Sequence, residues 1–332
     1  MSLRDSGRCC TAMVGNYIYI FGDDYTNDTY KVWKYDVINN TFSIDNPDSN
    51  SPIKLAFLTA VPVGTDIYLF GGASVAGYFN NYKYDTINHT FTQKRNLPVA
   101  GGGTNIMGIE YSGNIYLFGG GTSSSSTVYK YDVSSNTYTQ LPNLSNTIGG
   151  ASICNINDNV YLFSSTSNKA AMCYNLTNYT TTTLAVPSFT CNGATRCVHI
   201  GDYIYIANST QKMCKYDINN NTYINTNISY NLGSYSYGTL YLKDDIIYIV
   251  GQNDIFRYKL VPSDFGDKSI VISQSKLLNN IVTYLFNFND EDVVGRPVQP
   301  LNDVFYYTTE NGLDNTIPTY YGDGTQWIKF KN

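Results

Sequence analysis

The sequence predicts an all-β protein, and three observations predict it. Tyrosine fills 32 of the 332 positions and aromatics make up 15%, while charged residues reach only 14%, a profile suited to pleated, half-buried surfaces rather than helices. An apolar run centred on a tyrosine recurs six times along the chain. Between these runs, Gly, Asn and Asp stand at regular offsets where strands would have to turn.

The recurring run reads "NYIYIFGD" from 16, "TDIYLFGG" from 65, "GNIYLFGG" from 113, "NVYLFSS" from 159, "GDYIYIAN" from 201 and "DDIIYIVG" from 244. Its central residues, Tyr19, Tyr68, Tyr116, Tyr161, Tyr205 and Tyr248, are 49, 48, 45, 44 and 43 residues apart, a period that belongs to repeat architectures. A second run follows each: "KVWKYD" ending at Asp36, "NYKYD" at Asp85, "TVYKYD" at Asp132, "AMCYN" at Asn175, "KMCKYD" at Asp217 and a degenerate "IFRYK" at Lys259. From Asp36 to Phe42, Asp85 to Phe91, Asp132 to Tyr138 and Asp217 to Tyr223 the distance is always six, and a Thr precedes each aromatic. This spacing predicts a hairpin in which the Asp caps the turn with its side-chain oxygen, a nearby Asn takes a positive φ, and Thr-aromatic opens the returning strand. Ahead of each tyrosine-centred run stands a further short one, such as "CCTAMV", "NIMGIEY" or "TRCVHI", joined through Gly15-Asn16, Gly113-Asn114, Gly201-Asp202 or their equivalents. Each repeat is therefore expected to be a four-stranded meander.

Six such meanders cannot each bury two faces alone, and radial stacking about an axis buries them with only short edges left, which is a β-propeller. An apolar strand ending in Gly-Gly, then Tyr-Asp, then Thr and an aromatic six residues after the Asp resembles the kelch repeat over residues 6 to 264. The resemblance implies a kelch-type propeller of six four-stranded blades over residues 1–268, followed by a short β-rich extension over 269–332. Residues 270 to 288 have room for a further strand or two, so five and seven blades stay open. The pattern loosens along the chain: Ser164-Ser165 and Ala207-Asn208 replace the double glycine, and Phe or Tyr stands where the family prefers Trp.

Charge and motifs exclude several functions. With Lys+Arg 21 against Asp+Glu 26 the net charge is -5 and no basic run is present, so nucleic acid is not an expected partner. The N-terminus lacks the apolar core of a secretory signal, and no run approaches the roughly 18 apolar residues of a membrane span, so neither export by such a signal nor membrane insertion is expected. Gly119-Gly120-Gly121 follows a strand but precedes a serine loop and another strand; without a helix start it is read as punctuation between strands, not a phosphate cradle. The seven cysteines form no CxxC pair and are read as small buried residues. His89 and His199 are the only histidines, too few for the ligand set of a kelch-type copper oxidase, and neither a metal nor a cofactor is expected. Some six-bladed kelch proteins act on sugars with Arg and Glu at the centre of one face. Arg196 and Glu110 both fall on innermost strands, but nothing in the sequence relates them, so no catalytic residue is assigned.

A propeller without catalytic residues offers a rigid disc that displays loops. The connections between second and third strands share a face with those between blades, and they read "DDYTNDT", "ASVAGYFN", "GTSSSST", "STSNKA", "NSTQ" and "QND". Amide, hydroxyl and carboxylate groups beside exposed rings suit carbohydrate, because they bond its hydroxyls while a ring packs on its apolar face. The expected ligand-binding residues are Asp23, Asp24, Tyr25, Tyr78, Phe79, Ser124, Asn168, Arg196 and Gln252.

In the extension, Tyr307-Thr308-Thr309 is followed by Pro318, Tyr320, Tyr321, Gly324 and Trp327. This order resembles a terminal module of bacteriophage fibre and tail proteins, with a longer gap before the Pro and Ile317 where Lys is usual. The resemblance implies a virion protein assembled in the host cytoplasm, with Tyr307, Tyr320, Tyr321 and Trp327 in an attachment or oligomerisation segment. The loop face is then expected to bind a host-surface glycan or a neighbouring virion protein, so the expected partners are other virion structural proteins and host cell-surface carbohydrate, with oligomeric state left open. The competing readings are an intracellular kelch scaffold for protein–protein interaction and a sugar-acting kelch enzyme.

Overall fold

The computed structural model describes residues 10–21, 31–46, 58–71, 80–98, 105–120, 125–164, 170–189, 195–208, 212–229, 239–244, 246–250, 254–259, 270–276, 285–286, 320–322 and 327–329. Twenty-four of its strands form six antiparallel meanders. The first blade is Cys10–Val14, Tyr17–Phe21, Val32–Asp36 and Thr41–Ile44; the second is Leu58–Val63, Asp66–Gly71, Asn81–Asp85 and Thr90–Gln93. The third is Ile106–Tyr111, Asn114–Gly119, Val128–Asp132 and Thr137–Leu141; the fourth is Ala151–Ile156, Asn159–Ser164, Ala171–Asn175 and Thr181–Thr183. The fifth is Val198–Ile200, Tyr203–Ala207, Lys212–Asp217 and Thr222–Ser229; the sixth is Thr239–Lys243, Ile246–Val250, Asp254–Lys259 and Ile270–Lys276.

The first strands of successive blades neighbour one another around an axis, and the ring closes where the sixth blade packs on the first. There Ile18, Ile20 and Tyr35 meet Tyr241, Tyr248 and Val250, and Thr11 Oγ1 shares a buried 2.8 Å hydrogen bond with the Tyr241 hydroxyl. The fold is a six-bladed β-propeller. Ile270–Lys276 pairs with Asp254–Lys259, so the sixth blade takes its outermost strand from beyond residue 268, and Leu285–Phe286 adds a short fifth strand to that sheet. The strands that left five or seven blades open thus complete the sixth. Further on, Tyr320–Gly322 pairs antiparallel with Trp327–Lys329.

The third-to-fourth strand turns are built as the spacing predicts. Asp36 Oδ1 accepts from the Ile38 and Asn39 amides at 2.9 and 3.0 Å, Asp85 Oδ1 from Ile87 and Asn88 at 2.9 Å each, and Asp217 Oδ1 from Asn219 and Asn220 at 3.0 and 2.9 Å. In the fourth blade Asn175 supplies the same oxygen without the charge, at 3.0 Å from Thr177 N and from Asn178 N. One residue before the returning Thr, the chain takes φ near +55° at Asn40, Asn136 and Asn221, the left-handed conformation that Asn tolerates best after Gly. His89 and Tyr179 hold the same conformation in the second and fourth blades, where the sequence has no Asn to offer.

Packing between blades rests on one tyrosine per repeat. Tyr35, Tyr84, Tyr131, Tyr174 and Tyr216, the "KYD" tyrosines and their "CYN" equivalent, are fully buried or nearly so. Each that faces a fourth-strand aromatic lies against it: Tyr35–Phe42 and Tyr84–Phe91 at 4.7 Å between ring centroids, Tyr131–Tyr138 at 4.8 Å and Tyr216–Tyr223 at 5.2 Å. Across the seam, Tyr84, Tyr131, Tyr174 and Tyr216 each meet edge-on the second-strand Phe of the preceding blade, while Tyr35 meets Tyr248 of the sixth. Phe21–Tyr84 lie 5.6 Å apart, and Phe70–Tyr131, Phe118–Tyr174 and Phe163–Tyr216 5.5 Å. Such pairs contribute about 0.5–1.5 kcal/mol each beyond the area they bury.

The tyrosine hydroxyl ties the seam as well. Tyr131 donates to Asn136 Oδ1 at 2.7 Å, the same oxygen accepts from Arg95 N of the second blade at 2.9 Å, and the Tyr138 hydroxyl donates to Arg95 O at 3.0 Å. Tyr216, Asn221, Ala185 and Tyr223 repeat this clasp between the fourth and fifth blades. Where His89 or Tyr179 replaces the Asn, the hydroxyl turns to the preceding blade: Tyr174 donates to Pro142 O at 3.2 Å, and Tyr84 to Asp45 Oδ2 at 2.6 Å. Asp45 is buried and also meets Lys34 Nζ at 2.5 Å and His89 Nδ1 at 3.0 Å. Burial alone would raise its pKa, but the contacts with Lys34, Tyr84 and His89 outweigh that and hold the carboxyl below its ordinary range.

Two predictions follow from these turns and seams. Tyr131→Ala should lower unfolding free energy by about 3–5 kcal/mol, the range for deleting a buried ring. Tyr131→Phe should lose about 0.5–1.5 kcal/mol for one hydroxyl bond, both read from urea unfolding. Backbone amides and neighbouring side chains that bond to Asp85 and Asp132 depress both carboxyls to about 2. A depressed folded pKa contributes stability above the unfolded value near 3.9 and loses it as pH falls through the folded value. The urea midpoint should therefore drop between about pH 4 and pH 2, and less steeply in Asp85→Asn, which keeps the capping oxygen but cannot titrate.

Candidate functional site

The face of interest is the one on which first strands begin and second strands end. Cys10 pairs with Phe21, Leu58 with Gly71 and Thr239 with Val250, so the second-to-third connections and the entries to each blade open on the same side. In the third blade the two kinds of connection touch directly: Ser125 and Ile148 form a β-bridge through reciprocal amide–carbonyl bonds of 2.9 and 2.8 Å. Gly119 and Gly120 take φ of +72° and +89° where the chain leaves the sheet, and a Cβ on Gly119 would stand 3.0 Å from Ile148 Cγ1. The glycines therefore serve strand exit, as the repeat predicts.

At the centre of this face lies a narrow axial pit lined by Thr11, Thr59, Met107, Gly108, Arg196 and Thr239 among others, all at or near first-strand starts. Its cavity volume is about 10 Å³, the scale of one water molecule. The inner edges of the first strands would leave backbone carbonyls facing the axis without partners. Arg196 answers two of them. Thr195–Arg196 runs parallel to Ser152–Ile153 of the fourth blade before the chain enters the fifth, and Arg196 Nη2 donates across the axis to Ala60 O at 2.8 Å and Gly108 O at 3.2 Å. One side chain thereby links three parts of the ring. Gly108 is required by the same crowding, since a Cβ there would lie 2.6 Å from Val61 Cγ2 and 3.1 Å from Leu117 Cδ2.

Of the ligand-binding residues expected from sequence, Arg196 is the one the described structure places. Asp23, Asp24, Tyr25, Tyr78, Phe79, Ser124, Asn168 and Gln252 lie outside the described residues, as does Tyr307. Tyr320, Tyr321 and Trp327 are placed on the terminal hairpin strands. Glu110 does not join Arg196: its Oε1 accepts from Gly113 N at 2.7 Å, in the hairpin at the opposite end of its strand. His89 contacts Asp45 at the first seam, and His199 is exposed. Cys10, Cys154, Cys197 and Cys214 are buried and Cys173 is half-buried; burial pushes the Cys173 thiol up to about 11. Among the described residues no group of three His, Cys, Asp or Glu could hold a metal ion, and no helix is long and apolar enough to cross a membrane. Sequence reasoning missed the pit's threonines and Gly108, because only ring closure brings these separate strand starts together.

The six-bladed ring of four-stranded meanders defines a β-propeller, and its repeat defines the class: the kelch motif model matches residues 111–145, the third blade's second to fourth strands with their flanks. The chain is a kelch-type β-propeller. Among solved structures, one described as "Structure of YjhT" is similar, with a TM-score of 0.62 at 13% identity over 76% of this chain and 94% of that one. At that identity the likeness is one of fold. No curated protein sequence matches the chain.

Gly108→Ala should destabilise the protein by about 1–3 kcal/mol through overpacking against Val61. Chemical unfolding of the variant checks this, and an unchanged midpoint would mean that the inner strands are free to separate.

Proposed function

We propose that the protein is a non-enzymatic bacteriophage virion protein, a tail or head fibre appendage, whose propeller loop face binds a host-surface glycan. In this reading the part of 269–332 that follows the sixth blade's added strands, Ile270–Lys276 and Leu285–Phe286, joins it to other virion structural proteins. The separation of Arg196 from Glu110 supports binding over catalysis: the two groups that a sugar-acting kelch enzyme would converge stand at opposite ends of the inner strands. General acid/base work needs both within reach of one bond, and a lone guanidinium supplies neither acid nor base near neutral pH. A rigid ring with polar, aromatic-bearing connections on one face suits recognition instead. The virion assignment rests on the resemblance of the terminal segment, and the hairpin over Tyr320–Gly322 and Trp327–Lys329 is compatible with it.

The test uses purified full-length protein on the phage's host cells. It should decorate the cells, compete with phage adsorption, and lose both effects after periodate oxidation of surface sugars. The double substitution Tyr25→Ala with Tyr78→Ala should weaken cell binding about tenfold, the loss of two ring contacts of roughly 0.5–1.5 kcal/mol each. Protein that neither decorates cells nor blocks adsorption, yet is present in purified particles, would be a structural decoration bound to a virion neighbour.

A further inference from the structure

The chain leaves the propeller on the side opposite the loop face. In the sixth blade Asp254–Lys259 runs away from the loops, Lys259 pairs with Ile270 where the next strand begins, and Ile270 pairs in turn with Phe286, where the added fifth strand ends. Phe286 therefore stands on the side of the turns that join first to second and third to fourth strands. On that side lie four of the five exposed large apolar residues of the described structure, Tyr17, Ile38, Ile87 and Leu242, all on the sixth, first and second blades, which pack in that order. A lone exposed apolar residue needs no explanation, but four on one side of three consecutive blades do. Ile38 and Ile87, 61% and 67% exposed, are not demanded by their turns. Only their amides are used, donating to Asp36 and Asp85, and Ser134, Thr177 and Asn219 fill the same position in the third, fourth and fifth blades. Beside each isoleucine the capping carboxylate keeps its charge, because amide bonds do not neutralise it and Lys34 and Lys83 pair with Asp45 and Asp66 instead. The bonds from Asn39 and Asn88 hold Asp36 and Asp85 below the ordinary carboxylate range, so both stay ionised. Apolar tips beside fixed negative charges fit a partner that presents apolar groups among basic ones.

We propose that this side of the ring faces the particle, and that a virion structural protein presenting apolar side chains among basic ones docks there on the sixth, first and second blades. The inference rests on the virion reading above and adds to it the docked surface and the chemistry of the neighbour. The chain after Phe286 leaves beside that surface, so tether and docked face meet the same partner. The loop face is left pointing away from the particle, the orientation that host recognition requires. A second copy of this chain fits less well, because an isologous contact through this side would set like charges against one another.

The experiment adds purified full-length protein to phage particles assembled without it and measures rebinding by sedimentation. Wild-type protein should rebind, and more weakly as salt rises. Ile38→Ser with Ile87→Ser introduces the residue that the third blade carries and keeps both turn amides on their aspartates. It should weaken rebinding about tenfold or more, the loss of two buried side chains, with the unfolding midpoint and host-cell decoration unchanged. Asp36→Asn with Asp85→Asn keeps the capping oxygens, as Asn175 does in the fourth blade, and should weaken rebinding several-fold while flattening its salt dependence. Both variants rebinding as strongly as wild type would overturn the docking face and leave the virion reading standing. Absence of the protein from native particles, together with no rebinding, would overturn both. Substitutions that change only self-association in ultracentrifugation would make this side a contact between copies and overturn the partner assigned to it.

Discussion

The fold depends on one side chain repeated around the ring, the buried tyrosine of the third strand. It is placed where two requirements meet. Inside its own blade it faces the aromatic that opens the fourth strand, and across the seam it meets the preceding blade's second-strand phenylalanine edge-on, as Tyr131 does with Tyr138 and Phe70. A four-stranded meander has two faces to bury and no core of its own, so each blade is completed by its neighbour. A ring of this kind needs no helix to cover its sheets, because every sheet covers the next.

The tyrosine's hydroxyl shows how a repeat tolerates change. With Asn at the left-handed turn position, the hydroxyl stays within its blade and the Asn oxygen also takes an amide from the blade before, as at Asn136 and Asn221. With His89 or Tyr179 there instead, the hydroxyl itself crosses the seam, to Asp45 or to Pro142 O. A buried phenol without a partner would cost about as much as a lost hydrogen bond, so a change at the turn is matched by a new acceptor on the neighbouring blade. At the first seam that acceptor is a buried carboxylate with Lys34 and His89 beside it, which makes this junction ionic.

At the axis the same architecture creates a different demand. Innermost strands have a bare edge, and closing the ring turns those edges towards one another in a space too small for further chain. Arg196 meets the demand from outside the regular blade pattern, on a two-residue parallel strand inserted ahead of the fifth blade. Its position explains both a structural tie and an electrostatic one-sidedness: the face that carries the loops also carries the axial charge, while Glu110 closes a hairpin on the other.

The blade plan was legible in the sequence because it is local. Spacing from Asp to Thr-aromatic sets a turn, alternation sets a strand, and Gly119 with Gly120 marks where a strand must leave the sheet; none of these needs knowledge of a distant residue. The sixth blade's outer strand was harder, since Ile270–Lys276 carries no repeat signature and joins Asp254–Lys259 only because an open edge was left there. The axial pit was not legible at all beyond Arg196 as a lone charge. Thr11, Thr59, Gly108 and Thr239 are ordinary strand residues in four separate repeats, and what makes them one site is the closing of the ring, a long-range packing event that the blade-by-blade pattern does not encode. Sequence alone determined the unit; the tertiary structure decided how many blades close the ring and which of their residues converge, because closure and convergence at an axis belong to the whole ring and to no single blade.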